Sequence, residues 1–332
     1  MIEAFVEPSG ESRELAAAEA ASAAEALGGG SGAPRVEGLV TVHLPEARDA
    51  VRLADRLALA HRCLRGVGRE TSVGSAIAQE AALGRSAVFR RLGRSPGATD
   101  DGVLAAGRAY REGGGRIDLA TPERRFWLGR DLDGGEVLLE EVARVDRRAA
   151  SARRMPMLPF QRPVSLPPRL ARAAANLARV RPGDRVVDPF LGTGALLAEA
   201  GLLGGELYGI DRDDAMVRGA VRNFAHLGVS ARALVVGDAG EVELPGPPTE
   251  FDAIVTDPPY GRSSSTGGEA ADRLVGRVLP RWGTRLRPGG RLVVVVPSGA
   301  AEMPSPWRPL VSVPVRVHRS LTREFRAYDR PP

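Results

Sequence analysis

Four short apolar runs in the second half of the chain each finish at an aspartate, and this recurrence limits the possible folds more than any other feature. The runs are Arg185-Val186-Val187-Asp188, Leu207-Tyr208-Gly209-Ile210-Asp211, Ala233-Leu234-Val235-Val236-Gly237-Asp238 and Phe251-Asp252-Ala253-Ile254-Val255-Thr256-Asp257. Short runs of branched residues bounded by turn signals predict buried strands. Helical patterns are predicted between them at 195–200 and 214–227, and a further strand at 291–296 is apolar almost throughout. Strands alternating with helices at this spacing predict a parallel sheet covered on both faces. The tail, at 311–317 and 324–328, is predicted to close the sheet as a hairpin. Ligands of open α/β sheets bind beyond the carboxyl ends of the strands, so the four aspartates are expected to line one site.

A chain of 332 residues suggests two domains. The boundaries are expected at 1–150 for an N-terminal domain, 151–164 for a linker and 165–332 for the strand–helix domain. In the first part a helix is predicted at 14–27, closed by Gly28-Gly29-Gly30, where a left-handed residue can end the last turn. A second helix is predicted at 46–64 from the spacing of Val51, Leu53, Ala54, Leu57 and Leu64. Short strands are expected at 87–89, 116–119 and 125–128. Residues 147–163 carry Arg147, Arg148, Arg153 and Arg154, then Pro156, Pro159 and Pro163, so a stiff, extended strap is predicted. Its arginines are placed to meet a phosphate backbone; a plain solvated connector is the competing reading. Beyond it, Ser165 is expected to cap a helix whose first turn holds Pro167-Pro168.

Composition narrows the chemistry. A single cysteine, Cys63, excludes an intramolecular disulfide framework and a cysteine-cluster zinc site, and the four histidines are scattered, so no metal is expected. All 46 basic residues are arginine, and a net charge of +5 permits a nucleic-acid partner without demanding one. No segment approaches the roughly 18 consecutive apolar residues of a membrane span. Glu3, Glu7 and Glu11 stand where a signal peptide would be basic. A cytoplasmic monomer with no membrane association is the expectation.

The glycine loop discriminates among ligands. Gly192-x-Gly194 is followed by Leu197 where a dinucleotide fingerprint needs a small residue, and a chain without lysine cannot hold a P-loop. A short loop between Asp188 and Asp211 instead suits S-adenosylmethionine, which has no phosphates and whose positive charges an acidic edge tolerates. Asp211 is expected to accept from the ribose hydroxyls and Asp238 from the adenine amine. The cofactor-binding set is expected to be Asp188, Phe190, Gly192, Thr193, Gly194, Asp211, Asp238 and Asp257.

Asp257-Pro258-Pro259-Tyr260 is the most specific motif in the chain. The exocyclic amine of a nucleobase is a poor nucleophile because its lone pair is delocalised into the ring. Two acceptors aimed at its N–H groups draw the nitrogen toward tetrahedral geometry and localise that pair. The Asp257 carboxylate and the Pro258 carbonyl are the expected acceptors, and the prolines fix both before reaction. Tyr260 offers a face on which the base stacks, worth about 1–3 kcal/mol. Gly261 allows close approach of backbone and base. Transfer is then governed by alignment, with Asp257, Pro258, Pro259 and Tyr260 as catalytic residues and no dedicated general base. Asn223 and Tyr208 are read as packing residues.

Asp188-Pro-Phe-Leu-Gly-Thr-Gly194 together with Asp257-Pro-Pro-Tyr-Gly261 is similar to the class I amino-methyltransferases of the Rossmann type. More narrowly, the chain resembles the archaeal tRNA (guanine-10-N2) methyltransferases. The narrower likeness rests on Pro159-Phe160-x-x-Pro163-x-Ser165-Leu-x-Pro-x-Leu170-Ala171-Arg172, on residues 257–262 and on His318-Arg-Ser-Leu-Thr322-Arg323. Residues 5–11 also match, more loosely. The resemblance implies a Rossmann-like domain that uses S-adenosylmethionine, preceded by an α+β segment of ferredoxin-like and THUMP type that grips tRNA. It also implies one or two methyl groups placed on N2 of guanosine 10. On that reading Arg90, Arg91, Arg147, Arg148, Arg153, Arg154 and Arg262 are the candidate tRNA contacts. Competing readings are methylation of another nucleic acid (rRNA guanine N2 or DNA adenine N6), an RNA-binding protein that has lost catalysis, and a nicotinamide-dependent oxidoreductase. Intact Asp257, Tyr260 and Gly192-x-Gly194 weigh against lost catalysis, and Leu197 with the Asp-Pro-Pro-Tyr turn against the oxidoreductase.

Overall fold

A computed structural model describes residues 1–67, 72–93, 100–154, 157–162, 165–244, 250–259, 271–300, 307–318 and 321–331. The chain runs through β1 (Ile2–Pro8), α1 (Arg13–Ala26), β2 (Gly30–Ser31), β3 (Val40–Leu44), α2 (Asp49–Arg56), β4 (Ala60–Gly66), α3 (Val73–Ala81) and β5 (Ser86–Arg91). It continues through α4 (Asp101–Glu112), β6 (Arg116–Ile117), β7 (Arg124–Arg130), β8 (Glu136–Arg144), α5 (Arg147–Ala152), α6 (Pro168–Leu177), β9 (Arg185–Asp188) and α7 (Ala195–Gly201). The last elements are β10 (Glu206–Asp211), α8 (Asp214–His226), β11 (Ala231–Val236), β12 (Phe251–Thr256), α9 (Ala271–Gly283), β13 (Leu286–Pro297), β14 (Arg308–His318) and β15 (Leu321–Asp329). Two compact units result: Met1–Gly10 with Leu27–Asp55 and Ala60–Val145, and Glu11–Ala26 with Arg56–Leu59 and Asp146–Pro332.

Among the described residues, the first unit holds an eight-stranded sheet in the order β2-β3-β1-β4-β8-β7-β5-β6. Its pairings are antiparallel except those of β5 with β6 and β7. Ile77 of α3 and Tyr110 of α4 pack on Phe89, Phe126, Leu128 and Leu138 of the sheet. Burial of large aromatic side chains is the main stabilising contribution of such a face.

The second unit is the doubly covered α/β sheet expected. Its order is β11-β10-β9-β12-β13-β15-β14. The first five strands pair in parallel, and β15 and β14 return antiparallel as the predicted hairpin. Successive residues of each strand enter opposite cores. Val186, Ala253, Val255, Val293 and Val295 join one face with the alanines of α6. Val187, Ile254, Leu292 and Val294 join the other with Trp282 of α9. This two-sided burial explains why the strands are apolar throughout rather than alternating.

The boundary at 150 requires correction, because α1 belongs with the second unit. Leu15 and Ala16 lie in the same core as Ala171, Ala174 and Leu177 of α6. The buried Glu19 carboxylate accepts from the amides of Ala58 and Leu59 and from Asn176 Nδ2, all at 2.9 Å. Arg291 of β13 adds contacts to Ser22 Oγ at 3.2 Å and Glu25 Oε2 at 3.1 Å. The helix predicted at 46–64 also stops early, at Arg56, and residues 60–66 form β4. Glu19 takes the amides of Ala58 and Leu59 that a continuing helix would need, and β4 pairs with both β1 and β8. Local periodicity loses to these pairings.

The strap prediction at 147–163 also fails in part. Residues 147–152 are helical, because the Asp146 side chain accepts from the amides of Arg148 and Ala149 and starts α5. Ser165 does not cap α6, which begins after Pro167 with no side-chain cap bond. Pro156 and Pro163 lie outside the described residues.

Glu19→Ala removes the acceptor for three buried donors at once, and unsatisfied buried groups cost roughly 1–3 kcal/mol. Urea denaturation of the full chain should show that loss, and an unchanged midpoint would contradict the anchoring of α1.

Candidate active site

The four aspartates gather at the carboxyl edge of the parallel strands. Asp211 ends β10, Asp188 ends β9, Asp257 follows β12 directly, and Asp238 stands two residues past β11. Asp188 is buried, and its Oδ1 accepts from the Thr256 hydroxyl at 2.6 Å and the Phe190 amide at 2.9 Å. Burial pushes this carboxyl up to about 7; the two donors oppose the shift, and the charges of Asp257 and Asp211 add to it. Asp211 accepts from the amides of Gly192 at 2.7 Å and Asp213 at 2.9 Å, so it ties the glycine loop to the end of β10. Burial raises its pKa as well.

The loop then turns through Gly194 at φ 80, and a Cβ there would lie 2.6 Å from the Phe224 ring. Only glycine satisfies both the left-handed backbone and that approach. Thr193 Oγ1 meets Ser165 Oγ at 2.9 Å. Asp238 behaves differently from its neighbours. Arg277 reaches both of its oxygens, at 3.1 and 3.0 Å, and Arg212 approaches at 3.4 Å. The Arg277 hydrogen bonds hold its pKa below the usual carboxylate range.

At the motif, Pro258 is buried and Pro259 half-buried. The Asp257 side chain is 20% exposed and its Oδ2 accepts from Arg323 Nη1. Burial pushes Asp257 up to about 6, with the Arg323 guanidinium pulling the other way. Tyr260, Gly261 and Arg262 lie outside the described residues.

Asn223, read from sequence as a packing residue, has a larger part. Its Oδ1 accepts from the Phe160 amide at 3.0 Å, and its Nδ2 donates to the carbonyls of Phe160 at 3.0 Å and Thr193 at 3.1 Å. The Phe160 ring lies over Gly219, 2.1 Å from where a Cβ would stand, with the guanidiniums of Arg162 and Arg222 at 5.0 and 5.4 Å. One buried amide thus fixes both the glycine loop and the residue-160 segment. Thr256 and Ser165 were also missed as contacts. The signals present were a hydroxyl residue beside Asp257 and the single Asn of α8.

The candidate tRNA-contact arginines divide. Arg91 is held by Asp100 and Glu136, and Arg153 by Glu199 at 2.7 Å. Arg147 pairs with Glu11 at 3.6 Å. Arg90, Arg148 and Arg154 are exposed. Among the described residues no group of three or more His, Cys, Asp or Glu could hold a metal ion, and no helix is long and apolar enough to cross a membrane.

A Rossmann-like sheet with a glycine loop after its first strand and an Asp-Pro-Pro turn after its fourth defines a methyltransferase domain. The family described as RMKL-like, methyltransferase domain matches residues 157–303. The tRNA (guanine(10)-N2)-dimethyltransferase of Methanothermobacter thermautotrophicus is 37% identical over 198 residues, which cover 58% of each chain. That of Pyrococcus abyssi is 37% identical over 226 residues, 63% of each. A protein of Methanothermococcus thermolithotrophicus, named a probable tRNA (guanine(10)-N2)-dimethyltransferase, is 31% identical over 49% of this chain and 98% of its own length. The chain belongs to this family. It spans 58% and 63% of the length of the first two relatives.

Asn223→Ala leaves the Phe160 amide without its acceptor. Hydrogen exchange at Phe160 should accelerate and stability fall by about 1–3 kcal/mol; unchanged exchange there would rule out the clamp.

Proposed function

We propose that the protein transfers one or two methyl groups from S-adenosylmethionine to N2 of guanosine 10 in tRNA. The observation that carries this reading is the Asp257-Pro258-Pro259 turn at the end of β12, with a carboxylate facing the site and a buried proline behind it. The names of the family's members supply the base and its position.

The residues present fit the cofactor. A Cβ on Gly192 would find no atom closer than 4.0 Å, so the loop backbone is open beside the two acids that flank it. Asp188, Phe190, Gly192, Thr193, Gly194, Asp211 and Asp238 would hold it, with Asp211 presenting oxygens for hydroxyl groups. Asp238, gripped by Arg277, would act through whichever lone pairs that guanidinium leaves. S-adenosylmethionine, when bound, supplies a methyl group made electrophilic by its sulfonium. The chain's own contribution lies in the acceptors. Ionised Asp257 accepts from one N–H of the target amine and the Pro258 carbonyl from the other, which turns the nitrogen lone pair out of conjugation. Tyr260 would stack on the base. Within the first unit, proposed to be the THUMP-type part that grips tRNA, exposed Arg90 is a phosphate contact, and Arg148 and Arg154 serve the same role beyond it.

Asp257→Asn keeps the shape and removes the charge. Methyl transfer to tRNA should fall about 10²–10³-fold, as for other preorganised electrostatic groups, while S-adenosylmethionine affinity by calorimetry changes little. Wild-type turnover in that variant overturns the role.

Because the carboxylate is the active form, protonation removes activity as pH falls. With Asp257 raised to about 6, the wild-type transfer rate should decline below that pH. A rate flat down to pH 5 would contradict it.

A further inference from the structure

The motif at 318–323 is part of the family likeness, and its last residue, Arg323, reaches the site. Arg323 stands near the start of β15, where it pairs with Pro297 at the end of β13 and with Val315 of β14. Since β15 runs antiparallel to β13, its beginning lies at the carboxyl edge of the parallel strands, beside the aspartates. From there its guanidinium, with the side chain only 15% exposed, donates to Asp257 Oδ2.

We propose that Arg323 is a positioning residue for the reaction: its guanidinium keeps the Asp257 carboxylate ionised and engages Oδ2, which leaves Oδ1 to accept from the target amine. This rests on the reading of Asp257 as the amine acceptor.

Burial is what raises the Asp257 carboxyl, and the Arg323 guanidinium alone opposes it. Asp257 in turn acts, together with Asp211 at the end of β10, on the buried Asp188 at the end of β9. Thr256 and the Phe190 amide serve Asp188, and the Gly192 and Asp213 amides serve Asp211. The guanidinium on Asp257 is supplied by β15. A buried carboxyl that loses its counter-cation takes up a proton at higher pH, commonly by one to three units. A protonated carboxyl donates a hydrogen bond where the reaction needs an acceptor. The C-terminal hairpin therefore does more than close the sheet. It returns one cation to the edge where the sheet concentrates negative charge.

The test compares wild type with Arg323→Gln and Arg323→Lys in single-turnover methyl transfer to unmodified tRNA, with saturating S-adenosylmethionine, from pH 5 to pH 9. In Arg323→Gln the acid limb should move up by at least one unit. The rate at pH 6 should fall about fivefold or more relative to wild type and recover toward pH 9. Arg323→Lys, which keeps the charge, should hold the limb near its wild-type position. A uniform loss at every pH, or an unmoved limb, would show that Arg323 serves only the fold and would overturn the proposal. A second readout separates this from failure of the functional reading. If wild-type protein transfers no methyl group to tRNA, the Asp257 carboxyl is followed by carbon NMR in aspartate-labelled protein, assigned with Asp257→Asn. An upward shift of its titration in Arg323→Gln supports the charge-holding role; an unchanged titration overturns it.

Discussion

Carboxylates placed at the ends of adjacent parallel strands repel one another and lose hydration, and the whole second unit is arranged around compensating them. Each aspartate has its own answer. Asp188 receives a hydroxyl from Thr256 and an amide from Phe190. Asp211 receives the amides of Gly192 and Asp213. Asp238 is held by Arg277, and Asp257 by Arg323. Backbone donors carry no side-chain entropy, and at Asp188 and Asp211 they oppose the upward shift that burial imposes. Guanidiniums go where a full positive charge is required.

The compensation also dictates local structure. Because Asp211 binds Gly192, the glycine loop closes back on β10, and the left-handed Gly194 then starts α7 against Phe224. Asn223 extends the tie to Phe160, so the segment before α6 is bound to the same loop. Further from the site, Glu199 on α7 holds Arg153 and Arg172, and Glu19 on α1 holds Asn176 on α6. Buried carboxylates such as these are costly to strip of their partners, whether guanidinium or amide, since an uncompensated group remains. They fix where the helices stand behind the loop more than they add net stability.

Much of the second unit was legible because its strands are buried on both faces and so read as uninterrupted apolar runs ending in acids. Helix starts and stops there follow local rules: Asp213 accepts from the Ala215 amide and begins α8, as an N-cap should. The first unit was harder to read. Glu3 and Glu7 interrupt β1, Thr41 and His43 interrupt β3, and β8 mixes Glu140 and Glu141 with Leu138 and Leu139, since those carboxylates pair with Arg65 and Arg62 of β4 and Arg124 of β7. Cross-strand charge pairs of this kind look like surface in a linear sequence. The misplaced helix at 46–64 and the misassigned α1 share one cause. Glu19 bonds to residues about 40 and 157 positions away, and no local pattern carries such a contact. Within the site, residue types at strand ends were readable, but Arg323 was not, because its part depends on the antiparallel return of β15.

On the proposed function, a proline-braced carboxylate accepts from the amine of an extruded guanine. The deciding measurement incubates the protein with unmodified tRNA and isotopically methyl-labelled S-adenosylmethionine, then locates the label by mass spectrometry of nucleosides and oligonucleotides. The expected result is N2-methyl- or N2,N2-dimethylguanosine at position 10. Label confined to adenine N6, to another guanosine, or absent from the RNA altogether would contradict it.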